Sequence, residues 1–252
     1  MNIGFLLNTF FTPFFSFIFL ISLHGLTQTS TEGLPSHSQD TTLVRNYLDT
    51  LCSPLMQGRG YINNGDKIAT EYISSEFKNS GLKSFLFETY QQPFPLAINT
   101  FPLVNVAFDK TILVAGKDYL VLPFSSGIKK GNYKIFTLNK AIIENESALL
   151  KFKAQDLASG FILIDKSGIN DSSRLKFMES MAHNPLSAKG IIMIEEEKLT
   201  HSLSQKAFDF AAIKVLRTSL PQEYKKISIE IENKFYEKYF TQNIIGFVEG
   251  TQ

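Results

Sequence analysis

Histidine is both the commonest general base and the commonest metal ligand, so His37, His183 and His201 are the first side chains to weigh. None stands in His-x-x-x-His, His-Glu-x-x-His or His-x-Asp spacing, and no local zinc pair is formed. His37 lies in a polar stretch and reads as solvated. His183 precedes Asn184–Pro185 at the end of a helical stretch and reads as a C-terminal cap. Cys52 is the single cysteine, which excludes an intramolecular disulfide framework and a cysteine zinc cluster. It reads as a buried, inert thiol. Glu195–Glu196–Glu197 is the densest acidic run, and with Lys198 after it a solvated turn is expected rather than a metal site. There is no Gly-x-Ser-x-Gly elbow and no phosphate loop. The side chains taken by themselves give no catalytic residue, no metal ligand and no identifiable binding residue.

The composition limits the remaining classes. The chain has 252 residues, 44% hydrophobic and 19% charged, with a formal net charge of +1. That composition supports a sizeable core and argues against global disorder. The near-zero charge also argues against a nucleic-acid partner, which requires a clustered basic surface.

Met1–Thr31 carries no Asp, Glu, Lys or Arg, and within it runs the apolar stretch Phe10–Leu23. The run has the length of an export-signal core and is short for a membrane span, which needs about 20 apolar residues. Small Gly25 and Thr27 suit a cleavage site, so 1–27 is predicted to be a signal peptide and 28–40 a linker. The expected location is secreted or periplasmic, with membrane attachment only if the segment stays uncleaved.

The elements that must position any site follow from periodicity. Asp40 and Thr41 can cap a first helix whose face is Leu43, Tyr47, Leu48 and Leu51. Ser53–Gly60 is a loop. Asn64–Ser80 reads as a second amphipathic helix with the stripe Ile68, Ala69, Tyr72, Ile73 and Phe77, stopped by Gly81. Strands are expected at Phe85–Tyr90, Leu103–Phe108, Thr111–Val114, Tyr119–Leu122 and Lys134–Leu138, with Asp109–Lys110 as a tight turn. Gly160–Asp165 and Lys189–Glu195 are continuous apolar runs, the pattern of strands buried on both faces. A helix between them at Ser172–Ala182 makes a βαβ unit. Lys226–Ile231 alternates and should be half-buried, and Asn243–Gly250 is a last strand.

Two of these segments carry a resemblance. Residues 51–82, with Gly58–Arg59, Gly65, Ala69, Tyr72–Ile73, Phe77 and Gly81–Leu82, resemble the start of the secreted di-zinc aminopeptidases, the family that includes leucyl-type aminopeptidases and glutamate carboxypeptidase. Gln242–Gly250, containing Asn243 and Gly246, looks like the strand that opens their catalytic sheet. Between them, the strand ending in Ile164–Asp165, a helix, and Ala188–Lys189–Gly190 before a second strand resemble a protease-associated insert.

The resemblance implies an α/β fold: a partial zinc-aminopeptidase domain of two N-terminal helices and a first strand, holding an inserted protease-associated-like α/β domain. The implied boundaries are 41–99 for the helical part, 100–225 for the insert and 226–252 for the return segment and first peptidase strand. The family's zinc ligands begin after that strand with His-x-Asp, then a glutamate pair, a further acid and a final His. None can be carried onto a residue here, since the sequence reaches Thr251–Gln252 before them. The implied function is that of an N-terminal fragment of an enzyme that removes N-terminal residues from peptides with two zinc ions, inactive by itself. The alternative is a stand-alone secreted binding module without catalysis. Gly58, Arg59, Gly65, Gly81, Asn243 and Gly246 are the structural motif, and Arg59 is expected to pin the loop between the helices rather than to touch substrate.

Overall fold

Helix α1 spans Thr41–Leu51 and opens the computed structural model, which describes residues 41–84 and 88–250. The leader, the linker and the Asp40 cap lie outside the described residues. Residues 1–48 and 49–252 form two units. The described part of the first is the front of α1, where Leu43, Val44 and Leu48 are exposed.

In the second unit, Ser53–Gly60 is a loop of tight turns, as expected, with 3-10 turns at Pro54–Arg59, broken at Gln57 and Gly58, and at Ile62–Asn64, broken at Asn63. Helix α2 (Gly65–Asn79) follows. Asp66 in its first turn complements the positive end of the helix dipole. Gly81 ends the helix with φ +73°, and the amides of Gly81 and Leu82 return to the carbonyls of Lys78 and Phe77. The stripe Ile68, Tyr72, Ile73 and Phe77 is only half-buried, and among the described residues neither core cluster includes a side chain of α2.

Short β1 (Lys83–Ser84) comes next. The strand expected at Phe85–Tyr90 lies partly outside the described residues, and its described end, 88–90, is a turn with a single bridge. The chain then runs through β2 (Gln91–Phe108), β3 (Thr111–Leu113), β4 (Tyr119–Val121) and β5 (Ile128–Leu138). Helices α3 (Lys140–Ile143) and α4 (Glu146–Lys153) lead to β6 (Gly160–Ile164), and α5 (Ser172–Ser180) leads to β7 (Gly190–Glu195). Then come β8 (Ala211–Leu216), β9 (Lys226–Ile244) and β10 (Gly246–Phe247).

The fold is mixed α/β. Eight strands form one sheet in the order β3-β2-β9-β5-β6-β7-β8-β4, with β5 to β8 parallel and the other pairings antiparallel. The predicted βαβ unit is β6–α5–β7. Asp171 caps α5 by accepting from the Arg174 amide at 2.8 Å. Every residue of β6 is buried, and its side chains alternate between two cores. Phe161 and Leu163 join Ile192, Ile213 and Ile229 on one face. Ile162 and Ile164 face Ile143, Phe152 and Met178 from the helices on the other.

Two sequence expectations are corrected by the long strands. Residues 226–231 and 243–250 are not separate strands: β9 is continuous to Ile244, and β10 adds only Gly246–Phe247. Likewise Leu103–Phe108 is the end of a strand that starts at Gln91. Pro93, Pro95 and Pro102 obscure that strand, because proline cannot donate to a ladder. It is tolerated here because β3 pairs only with Val106–Phe108, which leaves residues 91–105 with an open side. Pro102 falls within the register shift between Thr100 and Leu103. The alternation of Lys226–Ile231 holds, with Ile227, Ile229 and Ile231 buried. Strand β8 and helices α3 and α4 have no counterpart in the sequence reading.

Candidate functional site

The loop before α2 is built around two motif residues. Gly65 has helical φ and ψ, but a Cβ there would lie 2.8–2.9 Å from the carbonyl oxygens of Met56, Gln57 and Gly60. The loop therefore wraps the start of the helix as closely as backbone allows, and the Asp66 amide donates to the Gly60 carbonyl at 2.9 Å. Gln57, Gly58 and Arg59 all take left-handed φ values, of 48°, 67° and 55°. Arg59 donates through Nη1 to the Leu51 carbonyl and sits 3.9 Å from the Cys52 sulfur.

The second motif segment meets the first. Residues Lys83 and Ser84 pair with Phe247 and Gly246. A Cβ on Gly246 would meet Phe77 Cδ2 and Leu82 Cδ2 at 2.9 and 3.0 Å, so the glycine lets this strand lie against the end of α2. Asn243 pairs with Gln92, and its amide donates to the Gln92 side chain at 3.2 Å. The Asp66 carboxylate accepts from Tyr239 at 2.8 Å and from the buried Thr241 hydroxyl at 2.9 Å. Burial raises the Tyr239 pKa first, and the hydrogen bond and charge of Asp66 raise it further. Tyr61 packs edge-on against Tyr239, with ring centres 5.0 Å apart. Neither Asp66, Tyr239 nor Thr241 was marked by sequence.

Beside this junction lies a cleft of about 510 Å³ whose walls include Arg59, Tyr61, Phe101, Tyr119, His201 and Leu203. A second, of about 420 Å³, shares Tyr61 and adds Tyr236 and Tyr239.

The other sequence candidates are scattered. His37 lies outside the described residues. His183 is exposed and is not a cap: it is the last residue of a 3-10 turn, Met181–His183, that follows α5, and Asn184 caps that turn with φ 55°, its side chain also bonding both backbone groups of Ala188. Cys52 is exposed rather than buried, because it follows the last residue of α1 in an outward turn.

Of the glutamates, Glu195 pairs with Lys214 at 2.8 Å, and Glu196 joins a network that sequence did not indicate. Arg217, just past β8, binds Glu196 at 2.7 Å and Asp165, just past β6, at 2.5 Å. Burial works to raise the Asp165 pKa, but hydrogen bonds from Arg217 and Ser167 and the guanidinium charge outweigh it and hold the carboxyl below its usual range. Strand order makes this network, since β6 and β8 flank β7 with all three parallel, and so it is invisible in linear spacing.

Among the described residues no three His, Cys, Asp or Glu side chains gather in a way that could hold a metal ion. The described residues do not fit a zinc pair. No helix among the described residues is long and apolar enough to cross a membrane.

No family model matches the sequence, and no curated protein matches it. Among solved structures the chain is similar to a zinc aminopeptidase from Bacillus subtilis, at 15% identity and TM-score 0.48, over 75% of this chain and 42% of that one. It is also similar to a Peptidase M28 precursor from Shewanella amazonensis, at 12% identity and TM-score 0.49, over 84% of this chain and 54% of that one. The chain thus spans about half the length of these structures or less.

Proposed function

We propose that this chain is the N-terminal part of a secreted zinc-dependent aminopeptidase, and that it is inactive by itself. One observation carries the reading. The segments 51–82 and 242–250, which resemble that family in sequence, fold against each other: β1 pairs with β10, and Gly246 lies on Phe77 and Leu82. Two motifs so far apart in the chain have no reason to share a joint unless they belong to one module. In this reading α2, β1, the far half of β9 and β10 are the beginning of a catalytic domain. The β2–β9 ribbon carries a protease-associated-like insert. The substrates are peptides, export is by residues 1–27, and nucleic acid is not a partner. The family's two zinc ions would need ligands other than the residues of this sequence, and a metal pair of that kind activates water and polarises the scissile carbonyl.

The test has two arms. The nucleotide sequence after the codon for Gln252 should encode His-x-Asp, a glutamate pair, a further acid and a final His. Protein isolated from the native cells should release N-terminal residues from peptides and contain two zinc ions per chain. A native product ending at Gln252, without zinc and without release activity, overturns the proposal.

A further inference from the structure

The 510 Å³ cleft has an origin in the sheet. Strands β3 and β4 are its two edges, yet residues of β2 and β4 line this one cleft. Asn99 of β2 spans the gap, donating to the carbonyls of Pro123 at 3.1 Å and Ser125 at 2.7 Å. What remains of the gap is lined by Phe101 on one side and Tyr119 and Val121 on the other, with Tyr61 of the strained loop and Leu203 also in its wall. A mostly apolar concavity of this size, with a few polar groups, has the form of a small-molecule site.

Its charge is one-sided. The lining contains Arg59 and His201 and no Asp or Glu. The hydrogen bonds of Arg59 all leave from Nη1, to Leu51 and Cys52. Its Nε and Nη2 donors have no partner among the described residues, and guanidinium presents them in the fork that suits a carboxylate. The loop holding Arg59 concentrates backbone strain, with Gln57, Arg59, Asn63 and Asn64 all at positive φ. Such clustering accompanies ligand-holding loops.

We propose that this cleft binds short apolar carboxylates, molecules the size of one or two amino-acid residues with a free carboxyl group. Arg59 and His201 take the carboxylate, and Phe101, Tyr119 and Leu203 take the apolar body. The proposal does not depend on the peptidase reading. It fits the C-terminal end of a peptide or a free short-chain acid, which share this chemistry.

The test is an amide-shift titration of the purified chain with N-acetyl-phenylalanine, its uncharged amide, and octanoate. The expected result is saturable shifts at Gly60, Phe101 and Tyr119 with the acid, about tenfold tighter than with the amide. Octanoate binding as well as N-acetyl-phenylalanine identifies a free acid as the source, and weaker octanoate binding identifies a peptide end. Arg59→Gln should reduce acid affinity to that of the amide. Leu203→Glu is the control for folding, because Leu203 is 55% exposed. It puts a carboxylate into the cleft and removes part of its apolar wall, and should weaken the binding of both ligands, that of the acid at least about tenfold more than that of the amide. Equal affinity for acid and amide, shifts confined to other regions, or no saturable binding overturns the proposal.

Discussion

Asp66, on the first turn of α2, and Tyr239, in the far half of β9, are 173 residues apart in the chain and joined by a 2.8 Å hydrogen bond. The same carboxylate takes the Thr241 hydroxyl, which is buried. Asp66→Ala leaves that hydroxyl and the Tyr239 phenol without their acceptor. The expected loss is about 1–3 kcal/mol, the usual cost of an unsatisfied buried group. Urea unfolding measures it. Asp66→Asn, which keeps one acceptor oxygen, should lose less. It also removes the charge beside Tyr239, so the tyrosinate titration should move down in pH while staying above the usual tyrosine range, because burial remains. An unmoved titration would mean that Asp66 is not the group acting on Tyr239.

Gly65 and Gly58 separate two reasons for glycine. At Gly65 the φ is helical, and propensity alone predicts that alanine gains about 1 kcal/mol. Three carbonyl oxygens within 2.9 Å of the new Cβ predict the reverse, a loss of about 1–3 kcal/mol from overpacking. At Gly58 there is open space but φ is +67°, so alanine should cost only about 1 kcal/mol of backbone strain. Paired thermal or urea unfolding checks the order. Gly65→Ala more stable than the parent would mean that the loop does not wrap the helix start as described.

The Asp165–Arg217–Glu196 network gives a pH dependence with a definite sign. The folded-state pKa of Asp165 is depressed. Its contribution to stability is therefore complete above the unfolded aspartate value of about 3.9 and is lost as pH falls through the lower folded value. Asp165→Asn should flatten that part of the stability profile on the acid side. Arg217→Gln, which leaves a half-buried carboxylate without its cation, should cost about 1–3 kcal/mol at neutral pH. Unfolding curves from neutral pH into the acid range measure both, and an unchanged acid-side slope in Asp165→Asn would remove Asp165 as the source.

The legible parts of this fold are those set by local pattern. GFILID and KGIIMIE announced β6 and β7, because strands buried on both faces need unbroken apolar runs. The helix bounds of α2 followed from an apolar stripe and Gly81 after the last turn. Residues 91–102 did not read as a strand, since three prolines outweigh β-branched neighbours unless one knows that the strand has an open side. Strand β8 is as long as β7, but its two alanines carry little strand signal and Lys214 interrupts its apolar run. The Asp66–Tyr239–Thr241 cluster and the Arg217 network were out of reach for another reason. Each joins residues whose proximity is created by strand order, and no spacing in the chain encodes it.

Hydrogen exchange should divide the second unit in two. Strands β6, β7 and β8 are buried almost throughout, with Ile162, Ile191 and Ala212 fully inaccessible. Their amides should open only with global unfolding. Helix α2 buries only Gly65, Ala69 and Thr70, while Phe247 and Val248 near the end of the chain are exposed. Half-covered side chains give up part of the roughly 1.5–3 kcal/mol that full burial of each provides. Residues 65–79 and 243–250 should therefore exchange by smaller local openings, faster than β6 to β8. The Asp66 anchor makes the gradient directional: protection along α2 should be highest in its first turn and fall toward Asn79. Uniform protection of α2 at the level of β6 would mean that its apolar face is covered in solution, and a concentration series would then show whether a second copy of the chain covers it.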